Sequence, residues 1–378
     1  MMGAMGVNRR SFLRQSLLAA AALETLEAKP RATGVKNWAW IPTNTRPTAD
    51  QWKLRFEKLR AAGIQAILPE VYAGREAFYA SSHLPVKQDW LGLILPLAKA
   101  AGLEVHAWMW SMPCMNPEIL KAHPDWYNVN AKGESAATKP AYVPYYKFLD
   151  PGRPEVREWV QGTVKELASI PDLTGVHLDY IRHPDAILPS GLWKKYNIVQ
   201  DHVFPEYDYG YSEFERAEFK KKYGADPMQK MDAKLDEKWF QFRLDMVTGL
   251  VNGYLVPAVH SAKKQITAAV FPGPSLARIN VRQDWGRWKL DAFLPMIYHS
   301  FYQETPAWVG KMTREGAGTV KVPLYSGLFL GGMKEDEFSD AVRESLQAGA
   351  AGVSIFAENG LTDARLQVLK SVSEKARS

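Results

Sequence analysis

Eight short apolar runs, separated by segments of helical period, constrain what this chain can fold into. They read VKNWAWIP (35–42), IQAILPEVY (64–72), LEVHAWMWS (103–111), GVHLDYIR (175–182), QITAAVFP (265–272), AFLPMIYH (292–299), VPLYSGLF (322–329) and GVSIFAEN (352–359). Strand-like runs alternating with amphipathic segments signal parallel β/α units, and eight of them close a (β/α)8 barrel. Segments 49–62, 90–101, 154–170 and 335–348 carry apolar residues at three- and four-residue spacing, and Pro154 suits a first helical turn. Gly63, Gly102 and the pair Gly349 and Gly352 fall where a helix ends and a strand begins. Residues 31–378 are therefore expected to form one α/β barrel domain. Long insertions come after the third strand (112–152) and the fourth (183–232), leaving from the strand carboxyl ends, where barrel enzymes build their sites.

The N-terminus departs from this pattern. NRRSFLR (8–14) precedes a short apolar run (17–23), the order of a twin-arginine export signal. Residues 1–30 are read as that signal, and the remainder as exported to the periplasm or beyond. No later run approaches the roughly 18 apolar residues that span a bilayer, so no integral membrane segment is expected. A net charge of +6 would suit an anionic partner, but the 47 Lys and Arg are dispersed and form no basic stripe, which argues against nucleic acid. The single cysteine, Cys114, excludes an intramolecular disulfide and a cysteine metal cluster. His177 and His183 are six apart on opposite sides of a strand end, without close ligand spacing, so neither metal nor cofactor is expected. GxSxG, HExxH and a glycine-rich phosphate loop joined to a helix are all missing.

Barrel geometry turns alternate residues of each strand inward. In the fourth run His177, Asp179 and Ile181 share one face, and Val176, Leu178 and Tyr180 the other. An inward Asp179 lies at the barrel mouth, where a buried carboxylate persists only if it is paired or used. Arg182, just past the strand end, is placed either to pair with Asp179 or to contact substrate. His177, one layer below, is grouped with the substrate-facing residues and reads best as a satisfied interior histidine. Other strands bring Trp40, Glu70, Tyr72, Trp108, Trp110, Tyr298 and Glu358 to the same rim. Carboxyls converging with Trp and Tyr rings suit carbohydrate chemistry, because rings stack on sugar faces while a carboxyl pair supplies acid and nucleophile or base.

EVYAGREAFYASSHLP, GLEVHAWMW, HPDWYNVNAKGE, LDPGRPEVREWV and GVHLDYIRHP succeed one another in an order and spacing that resembles the glycosyl-hydrolase-like family ten, strongly from residue 35 to 184 and loosely through DAFLPMIYH. These exported bacterial proteins resemble glycoside hydrolases, some acting on peptidoglycan glycan strands. The resemblance implies a TIM-type barrel with Asp179 as a central active-site carboxylate and Arg182 beside it. The chain departs from the family pattern at Glu70-Val71-Tyr72, at Met109-Trp110 and at Met296, so that Glu70 is gained. The resulting expectation is a glycosidase acting on a glycan, with the basic net charge mildly favouring an anionic one. Asp179 is its nucleophile or transition-state stabiliser, Arg182 keeps that carboxylate ionised, and Glu358 or Glu70 is the acid. Two other readings stay open: a barrel that binds glycan without cleaving it, and a lyase using Tyr298 and His299.

Overall fold

A computed structural model describes residues 34–375. The export segment read at 1–30 lies outside the described residues. Eight parallel strands appear where the apolar runs place them: β1 (Asn37–Ile41), β2 (Ile64–Tyr72), β3 (Glu104–Trp110), β4 (Gly175–Asp179), β5 (Gln265–Val270), β6 (Ala292–Pro295), β7 (Tyr325–Phe329) and β8 (Gly352–Phe356). They form one sheet in the order β6-β5-β4-β3-β2-β1-β8-β7. Isolated parallel bridges Phe293↔Leu324 and Met296↔Gly327 join its two edges, so the sheet is a nearly closed barrel.

The expected helices form with clear local causes. Thr48 caps Ala49–Ala61 in a capping box with Gln51, and the helices Trp90–Ala100, Pro154–Ser169 and Glu335–Gln347 match the predicted spacing. Gly63 and Gly102 take the left-handed backbone (φ 83° and 75°) that lets the chain leave a helix and enter the next strand. Val176 and Leu178 face outward into the large core between sheet and helices. Trp38, Trp40, Leu68, Trp108, Leu294 and Tyr325 fill the barrel interior. Such large rings fit because small residues oppose them: Trp38 is in register with Ala66, and Ala269 and Ala292 complete the layer. Among the described residues no helix is long and apolar enough to cross a membrane.

The two insertions interlock as a single layer. Asn130 and Tyr209 form an antiparallel bridge. The Asn128 side chain meets His183 Nδ1 at 2.8 Å and accepts from Gly210 N at 2.8 Å. Beneath them Asp208 accepts from Arg243 (2.5 Å) and Arg282 (2.8 Å), both buried. Opposite charges thus tie the fourth-strand insertion to the helices Ala233–Leu250 and Pro274–Val281.

Candidate active site

Three adjacent strands build the centre of the mouth. Glu70 on β2 is in register with Trp108 on β3, and Trp110 is in register with Asp179 on β4. Trp108 and Trp110 lie on the same inward face, and each donates its indole N–H to a carboxylate on a flanking strand. Trp108 Nε1 reaches Asp179 Oδ2 at 3.1 Å, and Trp110 Nε1 reaches Glu70 Oε1 at 3.0 Å. Asp179 also accepts from the Tyr180 backbone at 2.7 Å. Glu70 accepts from Thr43 N (3.3 Å) and Thr43 Oγ1 (3.2 Å). Neither carboxylate forms an ion pair among the described residues. Burial pushes Asp179 up to about 6 against the opposing pull of its hydrogen bonds and of the more distant Arg182, and the Glu70 charge adds to the rise. Burial raises Glu70 as well, while its three donors hold it down.

The remaining predicted residues divide. Trp40 stands edge-on to Trp108 (4.8 Å) and His177 (4.6 Å) inside the barrel. His177 is fully buried, its Nδ1 2.7 Å from Thr267 Oγ1. Burial holds it well below the usual histidine range, so it is a neutral interior side chain. Tyr298 stacks obliquely over Phe356 (6.1 Å), and burial raises its hydroxyl, with the Asp179 charge contributing. Its hydroxyl therefore lies within reach of the Asp179 charge. His299, the other half of the lyase reading, has Glu337 as its charged neighbour instead.

Four placements correct the sequence reading. Tyr72 does not line the cleft: the β2–β3 register shifts between Glu70 and Tyr72, and this bulge turns the tyrosine into the outer core near Cys114. Arg182 does not pair with Asp179. Its guanidinium donates to Asp185 Oδ2 and to the His183 carbonyl, both at 3.0 Å, and lies over Tyr180 and Phe271. The cause is Tyr180, whose left-handed backbone (φ 50°) ends the strand alternation and redirects the chain beyond it. The same turn carries Ile181 into the outer core and brings the Tyr180 ring to Trp110 (4.7 Å). Glu358 turns away from the mouth, toward the helix Ala49–Ala61, where Arg55 Nε lies 3.2 Å from its carboxylate.

Sequence reasoning missed Asp185, Tyr145 and Tyr146. The Tyr-rich character of the insertions was the available signal. Tyr145, 37% exposed, packs against Trp110 at 5.6 Å, and Tyr146 donates to Asp185 at 3.0 Å. A second carboxyl pair, Asp150 and Glu215, is sealed between the insertions. Both are 0% exposed. Asp150 accepts from Ser212 Oγ and from Gly152 N (2.7 Å), while burial and the adjoining Asp150 push Glu215 well up. Among the described residues no group of three or more His, Cys, Asp or Glu is arranged to hold a metal.

The frame and its carboxyl-bearing mouth define a (β/α)8 barrel of the kind in which strand ends carry chemistry. Residues 32–188 match the family described as Glycosyl hydrolase-like 10, the family that the motifs resemble. The structure is similar to the PgaB (BpsB) glycoside hydrolase domain from Bordetella bronchiseptica (TM-score 0.68, 12% identity, covering 90% of this chain and 99% of that one). It is also similar to the catalytic domain of β-amylase from Paenibacillus polymyxa (TM-score 0.65, 14% identity, 92% and 100%). A third is the β-galactosidase from the psychrophilic Marinomonas ef1 (TM-score 0.64, 13% identity, 90% and 59%). At these identities the likeness is one of fold. Among curated proteins, none matches the chain.

Proposed function

We propose that the chain is a glycoside hydrolase that cleaves an O-glycosidic bond of a poly- or oligosaccharide between Asp179 and Glu70. The observation that carries this reading is the pair of mouth carboxyls, each held by an indole of the strand between them and neither neutralised by a cation. A carboxyl held at about 6 has a populated proton to give near neutrality, which suits Asp179 as general acid. Its proton passes to the glycosidic oxygen as the C–O bond breaks. Glu70, in whose carboxyl three hydrogen bonds favour the ionised form against the raising effect of burial, then takes the partner role as carboxylate and stabilises the oxocarbenium-like centre, either by attack on the anomeric carbon or by activating water. This reverses the role expected of Asp179 from sequence, since Arg182 is committed to Asp185. The family match and the three barrel neighbours support the same class.

The test is incubation with a panel of glycans, including peptide-free peptidoglycan and acidic plant polysaccharides, with product masses read. Hydrolysis adds one water per cut. An unsaturated product points to a lyase, and retention without mass change to a glycan-binding barrel. Either outcome ends the hydrolase reading. Export by the twin-arginine route is proposed with it, on the NRRSFLR stretch. Replacing Arg9 and Arg10 by Lys should trap the protein in the cytoplasmic fraction, and unchanged export would refute that route.

A further inference from the structure

The two insertions border an open recess of about 610 Å³, lined by Tyr142, Tyr196, Tyr207, Lys147 and Thr138 among others. That volume lies within the range of small-ligand sites. The walls are positioned from behind. The Tyr142 hydroxyl lies 2.8 Å from the Asp185 carbonyl and 3.0 Å from Gln200 Oε1, its single proton shared between them. Tyr207 stacks on Tyr142 at 4.3 Å and 7°, with Tyr196 edge-on at 5.9 Å. Lys147 is steered by a bond to the Ala137 carbonyl.

A row of rings joins this recess to the mouth. From Trp110, the donor to Glu70, it runs through Tyr145 (5.6 Å) and Tyr146 (5.3 Å further) to Tyr142 (6.3 Å). A smaller open recess, about 290 Å³, lies against Phe329, Phe356 and Asn359. Phe356 is 6.1 Å from Trp108, the donor to Asp179. Ring contacts thus join the indole donor of each carboxyl to one of the two recesses.

We propose that the tyrosine-lined recess between the insertions holds a distal stretch of the same glycan chain whose bond lies at Glu70 and Asp179, so that the protein binds chains along their length and cuts within them. This rests on the glycosidase reading above. Equatorially linked pyranose chains fit best, because their flat faces of C–H groups match tyrosine rings while Thr138 and Lys147 offer partners for hydroxyl or carboxylate substituents.

The experiment measures affinity against chain length, using chito-oligosaccharides and peptide-free peptidoglycan strands from disaccharide to octasaccharide. Asp179→Asn protein is used to prevent cutting. Affinity should climb about tenfold or more with length in the parent, and that climb should flatten in Tyr196→Ala/Tyr207→Ala while disaccharide binding stays unchanged. The Tyr196→Phe/Tyr207→Phe protein, which keeps both rings, should restore the climb and guards against misfolding. A parent without length dependence on either series, or an alanine double variant that keeps it, overturns the proposal. Hydrolysis by the unsubstituted chain is scored separately. Length dependence without hydrolysis sinks the catalytic reading alone, and hydrolysis without length dependence sinks the recess alone.

Discussion

Two carboxyl pairs in this molecule share an electrostatic cause and differ in everything around it. Burial and a neighbouring carboxyl raise Asp179 at the mouth and Glu215 between the insertions alike. The mouth pair opens on ring-lined space: Asp179 keeps 7% exposure, and Trp110 leads to the exposed Tyr145. Asp150 and Glu215 have none and are enclosed by Ser212 and the backbone of Gly152. A perturbed carboxyl alone therefore does not mark a site. Access and a surface that a substrate can lie on separate the pair that can work from the pair that holds two loops together.

The sharpest break in that comparison is Asp179→Asn. Turnover should fall by roughly 10²–10⁴-fold, while the fold persists and gains stability at neutral pH. The raised value sets the sign. The wild-type carboxyl, at about 6 folded against 3.8 as reference, costs nothing when protonated in both states. It loses stability as pH climbs from about 4 through about 6. Melting temperatures of the two proteins should coincide near pH 4 and separate above it. With Asp179 as the proposed general acid, turnover by the unsubstituted protein should decline as pH rises through about 6.

Next, Glu70→Gln should cut turnover by roughly 10²-fold. It should also lower the Asp179 value, because the Glu70 charge contributes to the rise. Carbon-13 titration of labelled aspartate reads that shift, and an unmoved Asp179 would uncouple the pair.

Glu215→Gln probes the sealed pair. The wild type pays for a raised carboxyl there as pH increases above the ordinary carboxyl range, so the variant should be more stable at pH 7 and no different near pH 4. Turnover should stay within about twofold, and a large loss would bring the sealed pair into the chemistry.

Trp108→Phe removes one donor to Asp179, a bond of about 1 kcal/mol. That bond lowers the Asp179 value, so the alkaline limb of the pH profile should move upward. Glu358→Gln, which loosens an ion pair with the partly exposed Arg55 outside the mouth, should change turnover least, within about twofold.

The barrel was legible because its evidence is repetitive: eight apolar runs, glycine joints and helical spacing agree with one another. The site was legible only as far as strand alternation extends. His177, Asp179, Trp108 and Trp110 lie on the faces their spacing assigns. Alternation fails at the β2 bulge and at the left-handed Tyr180, and three of the four misplaced residues, Tyr72, Ile181 and Arg182, lie just past those two points. Asp185 was hidden for the same reason, since its pairing with Arg182 depends on a turn that no periodicity encodes. The pairing of each indole with its carboxylate needed the interstrand register, which a single sequence does not carry.

One consequence of the β3 indoles concerns length. Trp108 and Trp110 are two residues apart, and two residues of strand advance about 6.6 Å. One indole holds Asp179 and the other Glu70, so the donors to the two carboxylates are spaced by the repeat of a single strand, which serves as their gauge. The loops around the mouth can lengthen, shed tyrosines or change charge without resetting that gauge. A one-residue deletion inside β3 between or before the two indoles would turn at least one of them off the inward face, since strand side chains alternate, and would leave its carboxylate without that donor.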